Sequence, residues 1–180
     1  MKTRFLILSC LFLFNSLFSQ DTLQSKRIEV SAGGAMLIYQ SVYSFENIFG
    51  FEAAARGKIA GPLDWQAGLR VGVNPVLPEG FARVLVTNDF GVWQPVIGLE
   101  LGLTARCHFK DGKYLLRESR KSMEKDFNPV YVAMHAAPFS FKLLKTWRLS
   151  VLELDIGTHV AHFGRTLRAQ LTIISIGKKF

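Results

Sequence analysis

Between Leu63 and Asn74 every second residue is apolar. Leu63, Trp65, Ala67, Leu69, Val71 and Val73 share one face, and Asp64, Gln66, Gly68, Arg70, Gly72 and Asn74 share the other. The pattern recurs over a longer span. Trp93, Pro95, Ile97, Leu99, Leu101, Leu103, Ala105, Cys107 and Phe109 oppose Gln94, Val96, Gly98, Glu100, Gly102, Thr104, Arg106 and His108. Successive side chains of a strand point to opposite faces, whereas a helix repeats every 3.6 residues and cannot give this period. The chain is therefore built from two-faced strands.

Shorter stretches alternate as well. Ile28, Val30, Ala32, Met36 and Ile38 oppose Arg27, Glu29, Ser31, Gly33 and Tyr39; Phe49, Phe51, Ala53, Ala55 and Ile59 oppose Gly50, Glu52, Ala54, Arg56 and Lys58. Phe81 to Asp89, Pro129 to Phe141, Trp147 to Thr158 and Thr166 to Phe180 complete a predicted set of eight strands. The phase slips near Val151-Leu152 and between Ile173 and Ile174, which implies either a bulge at each point or different strand limits. Connections are expected to alternate in length. Gly61-Pro62, Phe90-Gly91 and Lys142 to Lys145 are short; Gln40 to Asn47, Asn74 to Gly80, Lys110 to Asn128 and His159 to Arg165 are longer. Trp65, Trp93 and Trp147 each follow a short connection, so they are expected at one depth, as an interfacial belt.

The first twenty residues do not belong to this pattern. Lys2 and Arg4 precede the apolar run Phe5 to Phe14, and Asn15 to Gln20 is small and polar. Residues 1–20 read as a secretory signal peptide and 21–180 as one barrel domain. Without Lys2 and Arg4 the formal charge falls from +8 to +6. One cysteine, Cys107, then remains, which allows no internal disulfide. No apolar run after the signal reaches the roughly 18 residues of a spanning helix. A chain so rich in outward apolar positions can cross a membrane only as a closed barrel, because open sheet edges cannot be left in hydrocarbon.

The last strand stops on the aromatic Phe180, as bacterial outer-membrane barrels do, and the Ser-Gln end of the signal resembles the Bacteroidota type. The chain from Arg27 to Phe180 resembles the small eight-stranded outer-membrane barrels, the class containing the membrane domain of OmpA and OmpX. That resemblance implies an all-β, up-and-down antiparallel transmembrane barrel in the cell outer membrane. It also implies export through the barrel-assembly machinery and contact with outer-membrane lipid and lipopolysaccharide.

The polar face carries both charges and many glycines, which suits a narrow interior where small residues make room for long ones. Glu29, Glu52, Arg56, Asp64, Arg70, Glu100 and Arg106 are expected to form an ion-pair network in the lumen, joined by Arg27, Arg83, Glu153, Asp155 and Arg168. Buried charge is tolerated only when paired. The opposite arrangement, apolar side chains inward, would make a soluble lipocalin-like carrier of an apolar ligand.

Catalytic signals are sparse. His159 and His162 are spaced for a metal but are expected in an outer loop without a carboxylate or cysteine partner, so no metal or cofactor is expected. Lipid A deacylases carry a His-x-Ser pair on a strand. Here His135 is followed by Ala136-Ala137, and a lipid-modifying enzyme with a site near His135 stays only as an alternative. The insertion between Lys110 and Asn128 holds Lys113, Arg117, Arg120 and Lys121, cations suited to lipopolysaccharide phosphates. Export argues against nucleic acid. The function expected is non-enzymatic: a plugged outer-membrane barrel with a structural or surface-interaction role through its outer loops.

Overall fold

The computed structural model describes residues 28–41, 44–105, 108–110, 113–115 and 130–180, with 108–110 and 113–115 described by backbone alone. Eleven strand segments run in chain order: β1 (Glu29–Ser41), β2 (Phe45–Ala60), β3 (Leu63–Val73), β4 (Leu77–Thr87), β5 (Val96–Thr104), β6 (His108–Lys110), β7 (Lys113–Leu115), β8 (Val130–Ala137), β9 (Phe139–Lys142), β10 (Trp147–His159) and β11 (Thr166–Lys179). A 3-10 turn, Val160–His162, follows β10. β6 and β7 pair only with each other, as a small hairpin in the connection after β5. β8 and β9 are two parts of one wall strand, separated at Pro138, and both pair with β10. Each neighbour in the order β1-β2-β3-β4-β5-β8/β9-β10-β11 is antiparallel, and β11 returns to β1. The result is a closed eight-stranded barrel.

Burial is inside out. Phe49, Phe51, Leu69, Leu99 and Met134 are each about two-thirds exposed, whereas Arg70, Arg83, Glu79, Glu100, Asp155 and Arg168 are buried. A soluble protein of this size does not cover itself with apolar side chains around its whole girth. Burying charge inside while leaving hydrocarbon outside makes sense only if the surroundings are apolar. The interior also presents charge where a carrier of an apolar ligand would present apolar side chains.

The two predicted phase slips are present, and a third accompanies them. In β10 the inward side chains change from Arg148 and Ser150 to Glu153 and Asp155, with Leu152 at φ +56°. In β11 they change from Thr172 to Ser175, with Ile173 and Ile174 both outward. Across Pro138 they change from Ala137 to Ser140. The extra residues lie side by side. Val151 pairs with both Ile174 and Phe139, and each of these two ladders keeps one register through the bulge. The mismatch appears at the outer borders of the trio. On one side Gly34 pairs with Ile174 but Ala35 with Thr172. On the other, Val96 pairs with Ala137 but Trp93 bridges to Phe141.

Two expectations about connections need correction. The links after β1 and β3 are short, residues 42–44 and 74–76, because β2 begins at Phe45 and β4 at Leu77. Asn74-Pro-Val-Leu-Pro-Glu-Gly80 looked like a loop. Its second half is instead strand, with Pro78 outward and Leu77 and Glu79 inward. Conversely, the link between β4 and β5 spans 88–95, longer than Phe90-Gly91, and packs along β9 through the hydrogen bonds Gln94 N–H to Ser140 O and Lys142 N–H to Val92 O. The length asymmetry between the two ends therefore rests on the connection from 105 to 129. His159 is corrected too. It ends β10 and is buried, with its ring 6.2 Å from that of Tyr39 and 6.0 Å from that of Tyr131.

Trp65, Trp93 and Trp147 all stand outward at the end where β1 begins and β11 finishes. Trp93 donates its indole N–H to Pro138 O at 2.7 Å. Lys178 lies 5.4 Å from the Trp147 ring and 5.2 Å from that of Phe180. An amphipathic ring suits the boundary between hydrocarbon and water, so one end of the barrel carries an interfacial collar.

Candidate functional site

Every charged side chain of the lumen arrives by strand alternation, from positions whose neighbours face outward. Arg70 sits at the centre. Its Nε donates to Glu52 Oε2 at 2.7 Å. Its Nη1 and Nη2 form a fork onto Glu100 at 2.7 and 2.6 Å, and Nη1 also donates to Tyr131 Oη at 2.8 Å. Arg83 reaches four strands: it donates to Glu100, to Glu52 at 3.3 Å, to Gln66 at 3.0 Å and to Asp155 at 2.9 Å. The Phe81 ring lies beside both guanidinium groups, 3.9 Å from Arg70 and 4.4 Å from Arg83. Glu100 Oε2 accepts from both arginines, so a shared carboxylate offsets their like charges while the ring face attracts each.

A second group lies toward the end opposite the tryptophans. Arg168 grips Glu79 with Nε and Nη2, and Glu79 also accepts from the hydroxyls of Tyr39 and Thr104. The guanidinium lies 4.1 Å from the Tyr131 ring. Leu37, Tyr39, Ile48 and Leu77 close this end with an apolar cluster. Toward the tryptophan end Arg56 pairs with Asp64, which Thr87 and Lys58 also contact. Arg148 pairs with Glu29 at 3.1 Å, and Leu85, Val96 and Ala137 form a second apolar cluster toward this end. Forked, charge-assisted bonds are the strong form of this interaction and offset part of the desolvation cost of burying the ions.

Of the residues expected in the network, the structure brings Glu52, Arg70 and Glu100 into one cluster and Arg56 and Asp64 into another. Glu29 stands apart with Arg148. Arg106 and Arg27 lie outside the described residues, as do Arg117, Arg120, Lys121 and the side chain of Lys113. Sequence reasoning missed Glu79, Arg148, Gln66 and Gln170. Glu79 was hidden by the false loop, and Arg148 by the phase slip in β10. Gln170 donates to Glu52 Oε2 at 2.8 Å, and its inward parity with Arg168 was the available signal.

His135 projects into the lumen, and its Nδ1 lies 2.8 Å from Asp155 Oδ1. It is therefore turned away from the lipid-facing wall. Among the described residues no group of three or more histidine, cysteine, aspartate or glutamate side chains is placed to hold a metal ion.

Glycines give the long side chains room. A Cβ on Gly102 would run into the Tyr131 ring, and one on Gly68 would lie 2.7 Å from the Phe81 ring. These two rings stack against the three central arginines, so absent side chains on β3 and β5 set the positions of the charges.

No family model matches the sequence, and no curated protein matches it. Among solved structures the chain is similar to the surface protein A of Neisseria, at 14% identity and a TM-score of 0.61, over 87% of this chain and 100% of that one. Weaker likenesses are to Ail, the attachment invasion locus protein of Yersinia pestis, at 10% identity and a TM-score of 0.49 over 87% and 100% of the two chains. A designed transmembrane β-barrel gives 9% identity and a TM-score of 0.47, over 88% and 98%. The Neisserial likeness is one of fold, and it agrees with the strand count and closure above. With hydrocarbon outside and charge inside, this is a membrane-embedded barrel of the small eight-stranded kind.

Proposed function

We propose that the protein is a non-enzymatic barrel of the bacterial outer membrane, with a lumen closed by its own ion pairs and a surface role carried by its loops. The observation behind this reading is the interior. Arg70 and Arg83 use nearly all their donors on side chains across the barrel, and Arg168 holds Glu79 and Gln170, which spends most of the central polar groups on one another. What remains for interaction is the end opposite the tryptophans, where the connection from 105 to 129 is by far the longest. Its Lys113, Arg117, Arg120 and Lys121 are suited by charge to the phosphates of lipopolysaccharide. The tryptophan collar then faces the periplasm.

The location is tested by heat-modifiable migration in gels of isolated outer membranes, where a folded barrel runs differently from its boiled form. Deleting residues 113–125 is expected to leave that behaviour intact, because outer loops contribute little to barrel closure. The same deletion should weaken binding to lipopolysaccharide, most clearly at low salt, where exposed charges are least screened. Equal binding by intact and shortened proteins at low salt would remove this loop from the proposal.

A further inference from the structure

The tryptophan end does not turn polar where the wall stops. Phe90 and Val92 stand in the link from β4 to β5, Leu143 and Leu144 in the turn from β9 to β10, and Phe180 just past β11; all five are more than half exposed. Turns that face water are normally built from small and polar residues. Large apolar side chains gathered at a rim mark a surface that something apolar covers.

These segments form one continuous band. Lys142 N–H donates to Val92 O, Lys179 N–H to Thr146 O and Phe180 N–H to Ile28 O. The β4–β5 link, the β9–β10 turn, the end of β11 and the start of β1 therefore lie side by side. The band also joins the collar: the Phe90 ring stacks on Trp93 at 5.2 Å, and Trp147 pairs with Lys178.

Lysines are threaded through it. Among the described residues at this end, Lys142, Lys145, Lys178 and Lys179 meet one exposed acid, Asp89, whose Oδ1 already accepts from Gly91 N–H at 2.9 Å. Glu29 and Asp64 are buried and engaged by Arg148, Arg56 and Lys58. A carboxylate at Phe180, counted as well, still leaves a surplus of two positive charges. Lys178 shares the outward side of Trp147, and Lys145 is in the turn that leads into that strand. Lys142 and Lys179 pair with the inward positions Arg148 and Glu29, so they edge the mouth. A lysine stem covers apolar surface while its ammonium reaches a counter-charge, and Lys178 lies beside the rings of both Trp147 and Phe180. Apolar side chains in need of cover, interleaved with cations, suit the boundary layer of a membrane with negative headgroups. An acidic soluble partner would satisfy the lysines alone, whereas this band runs on from a wall that lipid already covers.

We propose that the tryptophan end binds anionic glycerophospholipid, with its apolar turns in the headgroup layer and Lys145 and Lys178 on the lipid phosphates. This surface is additional to the loops of the opposite end.

The chain's three tryptophans all lie at this end, so their fluorescence reports on it. The full barrel is refolded into phosphatidylcholine vesicles with rising fractions of dibrominated phosphatidylglycerol or dibrominated phosphatidylcholine, whose bromines quench tryptophan. The wild type should reach equal quenching at about a fivefold lower fraction of the anionic lipid in low salt, and the gap should narrow in high salt. Lys145→Gln with Lys178→Gln should close most of the gap, and Lys142→Gln with Lys179→Gln should close less. In a Cys107→Ser background, an uncharged nitrobenzoxadiazole dye on Leu144→Cys should emit as in an apolar layer. If the lysine variants fail to fold, the wild-type quenching and this emission still decide. Equal quenching by the two lipids, a gap untouched by Lys145→Gln with Lys178→Gln, or a water-like emission from the dye would each overturn the proposal. So would displacement of the brominated phosphatidylglycerol more readily by lipopolysaccharide than by unbrominated phosphatidylglycerol at equal phosphate. These arms need only a membrane-embedded barrel, so they stand whichever way the barrel points.

Discussion

Replacing Arg70 by leucine tests the inside-out assignment directly. Arg70 is 1% exposed and makes four hydrogen bonds of 2.6 to 2.8 Å to Glu52, Glu100 and Tyr131. Leucine can make none of them. Glu52 and Glu100 would keep Arg83, but Glu100 would lose the fork and Glu52 its bond from Nε. Removing one partner of a buried pair costs about 3–5 kcal/mol, most of it from the charge left behind. Its neighbour Leu69 points outward and is 67% exposed. Leu69→Ala forfeits the membrane transfer of three carbons, at most about 2 kcal/mol, with no cavity term because lipid fills the gap. The two adjacent changes should thus differ by at least about 1 kcal/mol, in an order opposite to that of a soluble barrel. Urea unfolding in phosphatidylcholine vesicles, followed by tryptophan fluorescence, measures both. A double change, Arg70→Leu with Glu100→Gln, should cost less than the sum of the single changes by about 1 kcal/mol or more, since it removes one of the orphaned charges. If Leu69→Ala proved the more damaging, the two faces would have to be exchanged.

Three further outcomes are expected. Gly102→Ala pushes a methyl group into the Tyr131 ring and should destabilise by about 1–3 kcal/mol, whereas Gly34→Ala meets nothing within 4 Å and should stay within about 0.5 kcal/mol; thermal or urea unfolding ranks them. Planar-bilayer recordings should show negligible current, since side chains fill an eight-stranded interior, and large stable steps would contradict the closed lumen. In a Cys107→Ser background, Ser119→Cys should react in whole cells with a membrane-impermeant thiol reagent, and Lys142→Cys only after the outer membrane is opened. The reverse pattern would invert the proposed orientation.

The wall was legible in the sequence, and the network only in part. Leu63 to Asn74 and Trp93 to Ala105 announce both faces because β3 and β5, which they contain, alternate between outward apolar and inward side chains along nearly their whole length. Pro78 hid the start of β4. Proline usually marks a turn or a sheet edge, and here it stands outward inside a wall strand, beside Glu79, the carboxylate that Arg168 grips with Nε and Nη2. No local pattern could have paired Arg168 with Glu79. Their contact crosses the lumen, between side chains 89 residues apart, and depends on how the strands stagger on closure. Parity could say that both point inward; only three-dimensional placement says that they meet. His159 misled for a similar reason, since a His-x-x-His spacing looks like a loop pair until the strand is seen to run through its first member.

The bulges at Pro138-Phe139, Leu152 and Ile173 tie the fate of three strands together. Deleting Leu152 alone would slide the rest of β10 by one position and turn Glu153 and Asp155 toward hydrocarbon. The flanking ladders would be left with incompatible counts. Removing one residue from all three strands at that level would instead erase the mismatches with β5 and β1 together. A single insertion or loss there breaks a ladder, whereas a matched change in all three keeps them, so β9, β10 and β11 are coupled in length as a unit larger than any hairpin.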